Sequence, residues 1–213
     1  NSPGLPISWD EEDYISGKNE IVWVENRLNA PLEVKKAFQF LHSTDPRTKR
    51  DGEGYIPSDQ LFVFSPDSQK IFFKKAKRFT RSEMMVMDML STNDWKRPIY
   101  FTHARSQVVI DLGLLDYLQF DGYAYRLVPI RTRAESSWDI GRIDPDYAYP
   151  LLMETFRYGN LEDEEVYVDN FVQYNLSASK AREAFARVAK EYIHRGENEK
   201  ALALLDEGLK RLP

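Results

Sequence analysis

Cysteine is absent from the 213 residues of this sequence. Its absence excludes disulfide bonds, thiolate catalysis and cysteine-ligated metal sites. A protein without cysteine suits a reducing compartment, and it equally suits a bacterial extracytoplasmic domain that is large enough to fold without cross-links. Histidine is scarce as well, and His42, His103 and His194 lie far apart in the sequence. None of them has a partner histidine at a metal-binding spacing, so we expect neither a metal site nor a cofactor.

Long apolar runs and a basic excess are also missing. No apolar stretch approaches the roughly 20 residues of a membrane-spanning helix, and no signal peptide is recognisable at Asn1, which resembles a cut end rather than a natural start. The formal net charge of −5 argues against a nucleic-acid-binding surface. Composition alone therefore leaves the compartment open.

Hydrophobic and aromatic residues are plentiful. They make up 42% and 13% of the chain, which is sufficient for a folded core and argues against disorder. The length favours one domain, or one domain with an appendage. We expect most aromatic side chains to pack between a sheet and its helices, and a sugar- or peptide-stacking surface is the alternative.

A helix signal opens the central stretch of the chain, residues 80–130. Thr80 and Glu83 have the spacing of a capping box, in which a hydroxyl accepts from the N3 amide and a carboxylate reaches back to the N-cap amide. Apolar residues recur on one helical face behind them. Pro98 prevents the helix from continuing, so we predict a helix from Arg81 to Ser91.

Short strands and helices alternate in the predicted α/β domain, residues 1–131. Apolar runs with period two predict five strands of one mixed sheet: Ile21–Val24, Leu61–Phe64, Ile71–Phe73, Ile99–Phe101 and Tyr123–Val128. Segments with period 3.6 predict three helices packed on it: Pro31–Leu41, Arg81–Ser91 and Leu112–Gln119. The predicted fold class is therefore α/β, a mixed sheet with packed helices.

Residues 132–213 are predicted to be a helical region behind a polar connector. Two apolar stripes separated by Gly196 predict a C-terminal helical hairpin. The first stripe contains Ala178, Ala181, Phe185, Val188, Ala189 and Tyr192. The second contains Ala201, Leu204, Leu205, Gly208 and Leu209.

The hairpin at 178–213 resembles a tetratricopeptide repeat. The matching positions are Phe185, Val188, Ala189, Tyr192, Ala201, Leu205 and Pro213. Gly208 departs from the pattern, in which alanine is usual. Any helical hairpin shows part of this periodicity, and about three repeats are needed to bury a continuous core, whereas one is present here.

A second resemblance covers most of the chain. The block Asn93–Phe101, the block Tyr117–Pro129 and the hairpin after Asn175 occur in that order. Together they resemble the soluble C-terminal region of bacterial polytopic membrane proteins related to protein O-mannosyltransferase-like glycosyltransferases, a region that ends in tetratricopeptide-like helices. The resemblance implies a fragment of a protein that is embedded in the membrane through an absent N-terminal portion. It also implies an extracytoplasmic, periplasmic position and a catalytic acid in the missing membrane portion, so no catalytic residue is assigned here.

Thr102, His103 and Arg105 are the candidate ligand-binding residues. They follow the predicted strand Ile99–Phe101, and ligands of open α/β sheets bind beyond the carboxyl ends of the strands. A hydroxyl, an imidazole and a guanidinium could there bind an anion such as a sugar phosphate. The alternative is that the three side chains satisfy backbone groups of the loop.

Two functions stay open on the sequence. The first is a non-catalytic interaction domain, in which Tyr192 and Leu202 lie beside an apolar groove and contact a polypeptide or a partner subunit. The second is a small-ligand or sugar-phosphate-binding domain, or an enzyme, that uses a crevice near His103. Whether this chain is an enzyme is left open, and a nucleic-acid partner is not expected.

Overall fold

The computed structural model describes residues 4, 7–8, 14, 21–134, 139–159, 161, 163, 165–172 and 181–212. Of the residues named for the predicted hairpin, Ala178 of the first apolar stripe and Pro213 of the repeat pattern lie outside the described residues. The chain forms two compact units. Residues 1–98 and 105–114 form the first unit, and residues 99–104 and 115–213 form the second. This division differs from the domain boundary predicted at residue 131, because residues 115–131 belong with the C-terminal helices.

Three small sheets lie in the described part of the first unit. The strands are β1 (Ile21–Trp23), β2 (Leu32–Glu33), β3 (Lys49–Arg50), β4 (Glu53–Gly54), β5 (Leu61–Phe64), β6 (Lys70–Phe72) and β7 (Arg78–Thr80). Strand β1 pairs antiparallel with β7, and β3 pairs antiparallel with β4. Strand β5 lies between β2, which runs parallel to it, and β6, which runs antiparallel. Each strand has only two to four residues, so no sheet here is extensive.

The helices of the first unit are α1 (Val34–His42), α2 (Arg81–Asn93) and α3 (Gln107–Leu112), with a 3₁₀ turn at Pro46–Thr48. Helix α1 starts three residues later than predicted, because Leu32 and Glu33 pair with β5 as a strand. The apolar faces of the helices and strands are buried together, as period-3.6 and period-two patterns predict. Fully buried members of this core include Val34, Ala37, Phe79, Met84, Met87, Val109 and Leu112.

The predicted capping box of α2 is confirmed. The Thr80 side chain accepts from the N3 backbone amide, and the Thr80 amide donates to Glu83 Oε2 at 2.6 Å. At the other end, Asp94 adopts the left-handed conformation with φ of 47°. The Asn93 side chain stabilises the turn that follows the helix, because its Oδ1 accepts a hydrogen bond from the Arg97 amide at 3.0 Å.

The helix predicted at 112–119 is wrong. Helix α3 ends at Leu112, because Gly113 takes a left-handed conformation with φ of 72° as its C-cap. A side chain at this position would also meet Lys74 Cβ at 3.2 Å. The following residues form a 3₁₀ turn at Leu115–Tyr117 and then a strand at Leu118–Phe120. The leucine spacing that predicted one helix thus runs across three different elements.

The second unit combines one three-stranded sheet with helices. Strands β8 (Tyr100–Phe101), β9 (Leu118–Phe120) and β10 (Tyr125–Leu127) form an antiparallel sheet with β10 in the centre. The helices are α4 (Pro145–Pro150), α5 (Asn170–Val172), α6 (Arg182–His194) and α7 (Asn198–Arg211). A π-helical stretch at Leu151–Thr155 continues α4.

The described chain therefore combines helices with several small sheets and ends in helices, which agrees with the α/β prediction in its coarse form. The single mixed sheet is not formed, because the five predicted strands are divided among three sheets. Period-two alternation identifies a strand but does not specify its pairing partner. Here the chain enters the second unit after Pro98, so β8 pairs with β10 and not with β5.

Candidate functional site

Helices α6 and α7 form the C-terminal hairpin that the sequence predicts. Gly196, with φ of 78°, lies in the turn between them. Each helix buries one apolar face in a core shared with α4 and the π-helical stretch. The buried members are Ala184, Phe185, Val188, Ala189 and Tyr192 on α6, and Ala201 and Leu204 on α7, packed with Ala148 and Leu152.

The side chain of Tyr192 lies inside this core and not on a groove surface. It is 1% exposed, and its ring makes an edge contact with Tyr149 at 5.8 Å between centroids. Its hydroxyl donates to Pro145 O at 3.1 Å and lies 3.3 Å from Asp146 Oδ1. Burial raises the pKa of Tyr192 to about 12, with the nearby Asp146 acting in the same direction. Through this hydrogen bond and ring contact, Tyr192 connects α6 to α4.

Leu202 lies on a different face, which is open. Leu202 is 60% exposed, Leu205 38% and Leu209 68%. At 100° per residue these three leucines form one stripe along α7, roughly 100° around the helix axis from its buried face. The predicted apolar stripe of α7 is therefore divided: Ala201, Leu204 and Gly208 are buried, whereas Leu205 and Leu209 are exposed. We call Leu202, Leu205 and Leu209 the leucine face.

Gly208, the departure from the repeat pattern, has a steric explanation. A Cβ atom at this position would lie 2.9 Å from Phe185 Cγ and 3.1 Å from Phe185 Cβ. Because atoms do not approach so closely in packed interiors, the two helices meet here only through glycine. Alanine, the usual residue, would push α7 away from α6.

The three candidate ligand-binding residues are only partly brought together. Thr102 Oγ1 and His103 Nδ1 lie 3.0 Å apart, and both residues are exposed in the turn after β8. Arg105 is also exposed but belongs to the first unit, in the segment before α3. The Thr102–His103 contact is compatible with either the ligand-binding or the loop-stabilising interpretation.

A buried polar network connects the sheet of the second unit. Asp121 is 3% exposed, and Arg126 Nε lies 2.9 Å from Asp121 Oδ2. Gln119 Nε2 donates to Asp121 Oδ1 at 2.9 Å, and Tyr100 donates to Oδ2 at 3.3 Å. Burial is the largest influence on the Asp121 carboxyl and raises its pKa, although Gln119 and Arg126 oppose this effect. The Arg126 guanidinium also stacks on the Tyr147 ring at 4.2 Å, so the network joins β10 to α4.

A charged cleft in the second unit was not foreseen from the sequence. It has a volume of about 330 Å³ and lies between one face of α6 and residues 132–134, 139 and 141–143. Arg187, Lys190, Glu191 and His194 line it from α6. Their spacing of three and four residues places these side chains on one face of the helix, and this spacing could have been noticed in the sequence. The residues of the opposite wall lie about 50 positions earlier in the chain, so their proximity could not be predicted.

These elements define a mixed α/β protein that ends in a helical hairpin with an open leucine face. Residues 63–147 are similar to the family described as TMEM260-associated domain 2, a domain that occurs with a membrane protein. The matched segment is less than half of the chain. No curated protein and no solved structure matches the chain. Within the residues that the structure describes, no helix is both long and apolar enough to cross a bilayer.

Proposed function

We propose that this chain is a non-catalytic interaction domain of a membrane glycosyltransferase-like protein, and that its leucine face contacts a polypeptide or a partner subunit. The hairpin then acts as a single tetratricopeptide-like repeat. The domain would lie on the extracytoplasmic side, as the family resemblance implies. Similarity to a membrane-protein-associated family over residues 63–147 supports the membrane context of this proposal.

The exposure of the leucine face is the observation that carries the proposal. Single exposed leucines are ordinary on protein surfaces, but three aligned on one helix form a patch of the kind that marks interaction sites. At their observed exposures, covering them would contribute about 2.5–5 kcal/mol. Association itself costs roughly 4–15 kcal/mol. The stripe can therefore anchor an interface, while neighbouring contacts must complete it.

The packing of the hairpin indicates what would fit. Repeat proteins bury each helical hairpin on both sides, because each repeat contacts its neighbours. Here α4 and the π-helical stretch cover one side, whereas the leucine face of α7 has no cover among the described residues. The stripe runs over eight residues, from Leu202 to Leu209, and is roughly 10 Å long along the axis. We propose that its occupant is an amphipathic helix with apolar residues three and four positions apart.

Photo-crosslinking tests this proposal. A benzophenone amino acid would replace Leu209 in the full-length protein, expressed in its own membrane, and crosslinked peptides would be identified by mass spectrometry. The matched control carries the same group at Ala203, which is exposed on α7 but lies roughly 125° around the axis from the leucine face. We expect crosslinks to a helical polypeptide segment from Leu209 and not from Ala203, and Leu202→Asp should abolish them.

Two results would contradict the proposal. Equal labelling from Leu209 and Ala203 would mean that the leucine face has no dedicated partner. Crosslinks only to a second copy of the chain would assign the face to self-association.

The alternative is a small-ligand or sugar-phosphate site that uses Thr102, His103 and Arg105. This alternative is based on the 3.0 Å approach of Thr102 Oγ1 to His103 Nδ1, which brings a hydroxyl and an imidazole together on an exposed turn. It predicts ligand binding that is lost in His103→Ala. The interaction-domain proposal predicts that this substitution leaves the leucine-face crosslinks unchanged.

A further inference from the structure

The charged cleft of the second unit has more positive than negative groups. Four cationic side chains line it: Arg133, Arg142, Arg187 and Lys190. Two carboxylates, Asp139 and Glu191, also line it, which leaves an excess of two positive charges. This local balance is opposite to the net charge of −5 on the whole chain. A concave surface of one sign concentrates ions of the other sign.

The ion pair between Lys190 and Asp139 in the cleft is long. The Lys190 Nζ to Asp139 Oδ2 distance is 3.9 Å, and both side chains are substantially exposed. Such surface pairs contribute little and leave Lys190 able to exchange partners. Arg142 donates from Nη1 to the uncharged Gln119 Oε1 at 2.7 Å, so this hydrogen bond does not balance its charge.

Arg187 places a buried cation in the wall of the cleft. It is 8% exposed, donates from Nη2 to Ile140 O at 2.9 Å and Gly141 O at 3.0 Å, and stacks on Phe120. Its nearest ion-pair contact is long, 3.7 Å from Nη1 to Glu183 Oε1. Within the described ranges Nη1 has no hydrogen-bond partner. A buried guanidinium with such incomplete compensation favours a further anion nearby.

The nearby hydroxyl of Tyr125 does not supply that anion. Burial is the main influence on this phenol and raises its pKa, and Arg187 only partly opposes that effect. Tyr125 therefore stays neutral in the ordinary pH range, so the long contact with Glu183 is the ion pair that Arg187 makes among the described residues.

Both walls of the cleft are held in place before any ligand arrives. The Arg142 amide donates to Leu118 O at 2.9 Å, and the Arg142 carbonyl accepts from the Phe120 amide at 2.8 Å. These bonds attach one wall to β9, and the carbonyls that accept from Arg187 attach it to α6. Cations on fixed walls need little rearrangement on binding, which raises affinity for a complementary anion.

We propose that this cleft binds a phosphate-class oxyanion, carried either by a small soluble molecule or by a lipid headgroup. Two excess charges match a phosphate dianion better than a single carboxylate. Guanidinium groups also present paired donors that suit phosphate oxygens. The volume of about 330 Å³ holds a small phosphorylated group. This site is separate from the leucine face, so it goes beyond the proposed interaction function.

Calorimetric titration of the full chain tests the cleft with three probes. Inorganic pyrophosphate and glycerol 3-phosphate represent soluble ligands, and phosphatidylcholine vesicles with and without phosphatidic acid represent a headgroup. The variants are Arg133→Gln and Lys190→Gln, both at exposed or half-exposed side chains whose loss should not disturb folding. Lys35→Gln on α1 is the matched control, because it removes one exposed charge from the first unit.

We expect binding of at least one phosphate probe, and about a tenfold loss of affinity in each cleft variant, which is the usual effect of losing one charge-assisted hydrogen bond. The control should bind as the wild type does. Raising salt from about 0.1 to about 1 M should weaken binding, since the Debye length falls from about 10 to about 3 Å. Preference for soluble probes or for vesicles would identify the source of the phosphate, and both results support the site.

Three outcomes would overturn the proposal. They are the absence of binding to every phosphate probe, an equal loss in Lys35→Gln, and equally tight binding of sodium glutamate. The last result would indicate a general anion surface without preference for phosphate.

Discussion

Gly208→Ala is expected to destabilise the protein, although alanine is the better helix former. In an unhindered helix the change would stabilise by about 1 kcal/mol. At Gly208, however, the new Cβ would lie 2.9 Å from Phe185 Cγ and 3.1 Å from Phe185 Cβ. These two atoms are at the base of the side chain, so rotating the ring cannot remove the overlap.

Phe185 also has little room to move. It is 2% exposed and packs against Tyr158 at 5.8 Å between ring centroids. Inserting a methyl group into such a core costs about 1–3 kcal/mol. After subtracting the gain of about 1 kcal/mol in helix propensity, we expect a net loss of about 1 kcal/mol, and at most about 2 kcal/mol, in the free energy of unfolding. A loss of about 1 kcal/mol corresponds to a decrease of roughly 2–4 °C in Tm for a chain of this size.

Urea unfolding followed by circular dichroism measures the effect, with Ala203→Gly as the matched control. Ala203 is exposed on the same helix, so its replacement reports the alanine–glycine preference of α7 without a steric contribution. The control should lose about 1 kcal/mol. If Gly208→Ala is as stable as the wild type or more stable, the close approach of α7 to Phe185 is not the reason for glycine here.

Three further predictions concern the same unit. Ala201→Leu should cost about 1–3 kcal/mol in the free energy of unfolding, because Ala201 is 3% exposed in the shared core, and an unchanged Tm would contradict the close packing of α7 at Ala201. Burial raises the pKa of Asp121 above its ordinary 3.8. The protonated carboxyl therefore stabilises the fold fully at pH values below 3.8, and this contribution is lost as the pH rises through the pKa of the folded state. Relative to Asp121→Asn, the wild type should therefore lose stability from about pH 4 upward in urea unfolding, and parallel pH profiles would contradict this assignment. The purified chain should transfer no sugar and hydrolyse no sugar nucleotide; turnover that His103→Ala abolishes would favour the enzyme alternative.

Local signals in the sequence predicted local structure well. The Thr80–Glu83 capping box and the Gly196 turn are each determined within a few residues, and both occur as expected. Hydrophobic periodicity also identified α2 and the C-terminal hairpin. The capping box, the turn and the helices could be predicted because their formation does not depend on which distant segment packs against them.

Features that depend on distant partners could not be predicted. Leu118 fits a helical period with Leu112 and Leu115, yet pairing with β10 makes it part of a strand. Leu209 belongs to the apolar stripe of α7, yet its exposure depends on what covers that side of the helix. The cleft joins Arg133 and Arg142 to the α6 face only because β9 holds residues 142 and 119 together. Spacing within one element carries no information on such juxtapositions.

The route of the chain between the two units limits how the protein can be divided. The backbone crosses between units after residues 98, 104 and 114, and all three crossings fall within the family-matched segment 63–147. No single cleavage point separates the units, and ending the chain at residue 131 would expose Phe120, which the C-terminal hairpin covers. The family-matched segment 63–147 therefore contributes residues to both units. We expect an insertion or deletion in this segment to affect the folding of both units.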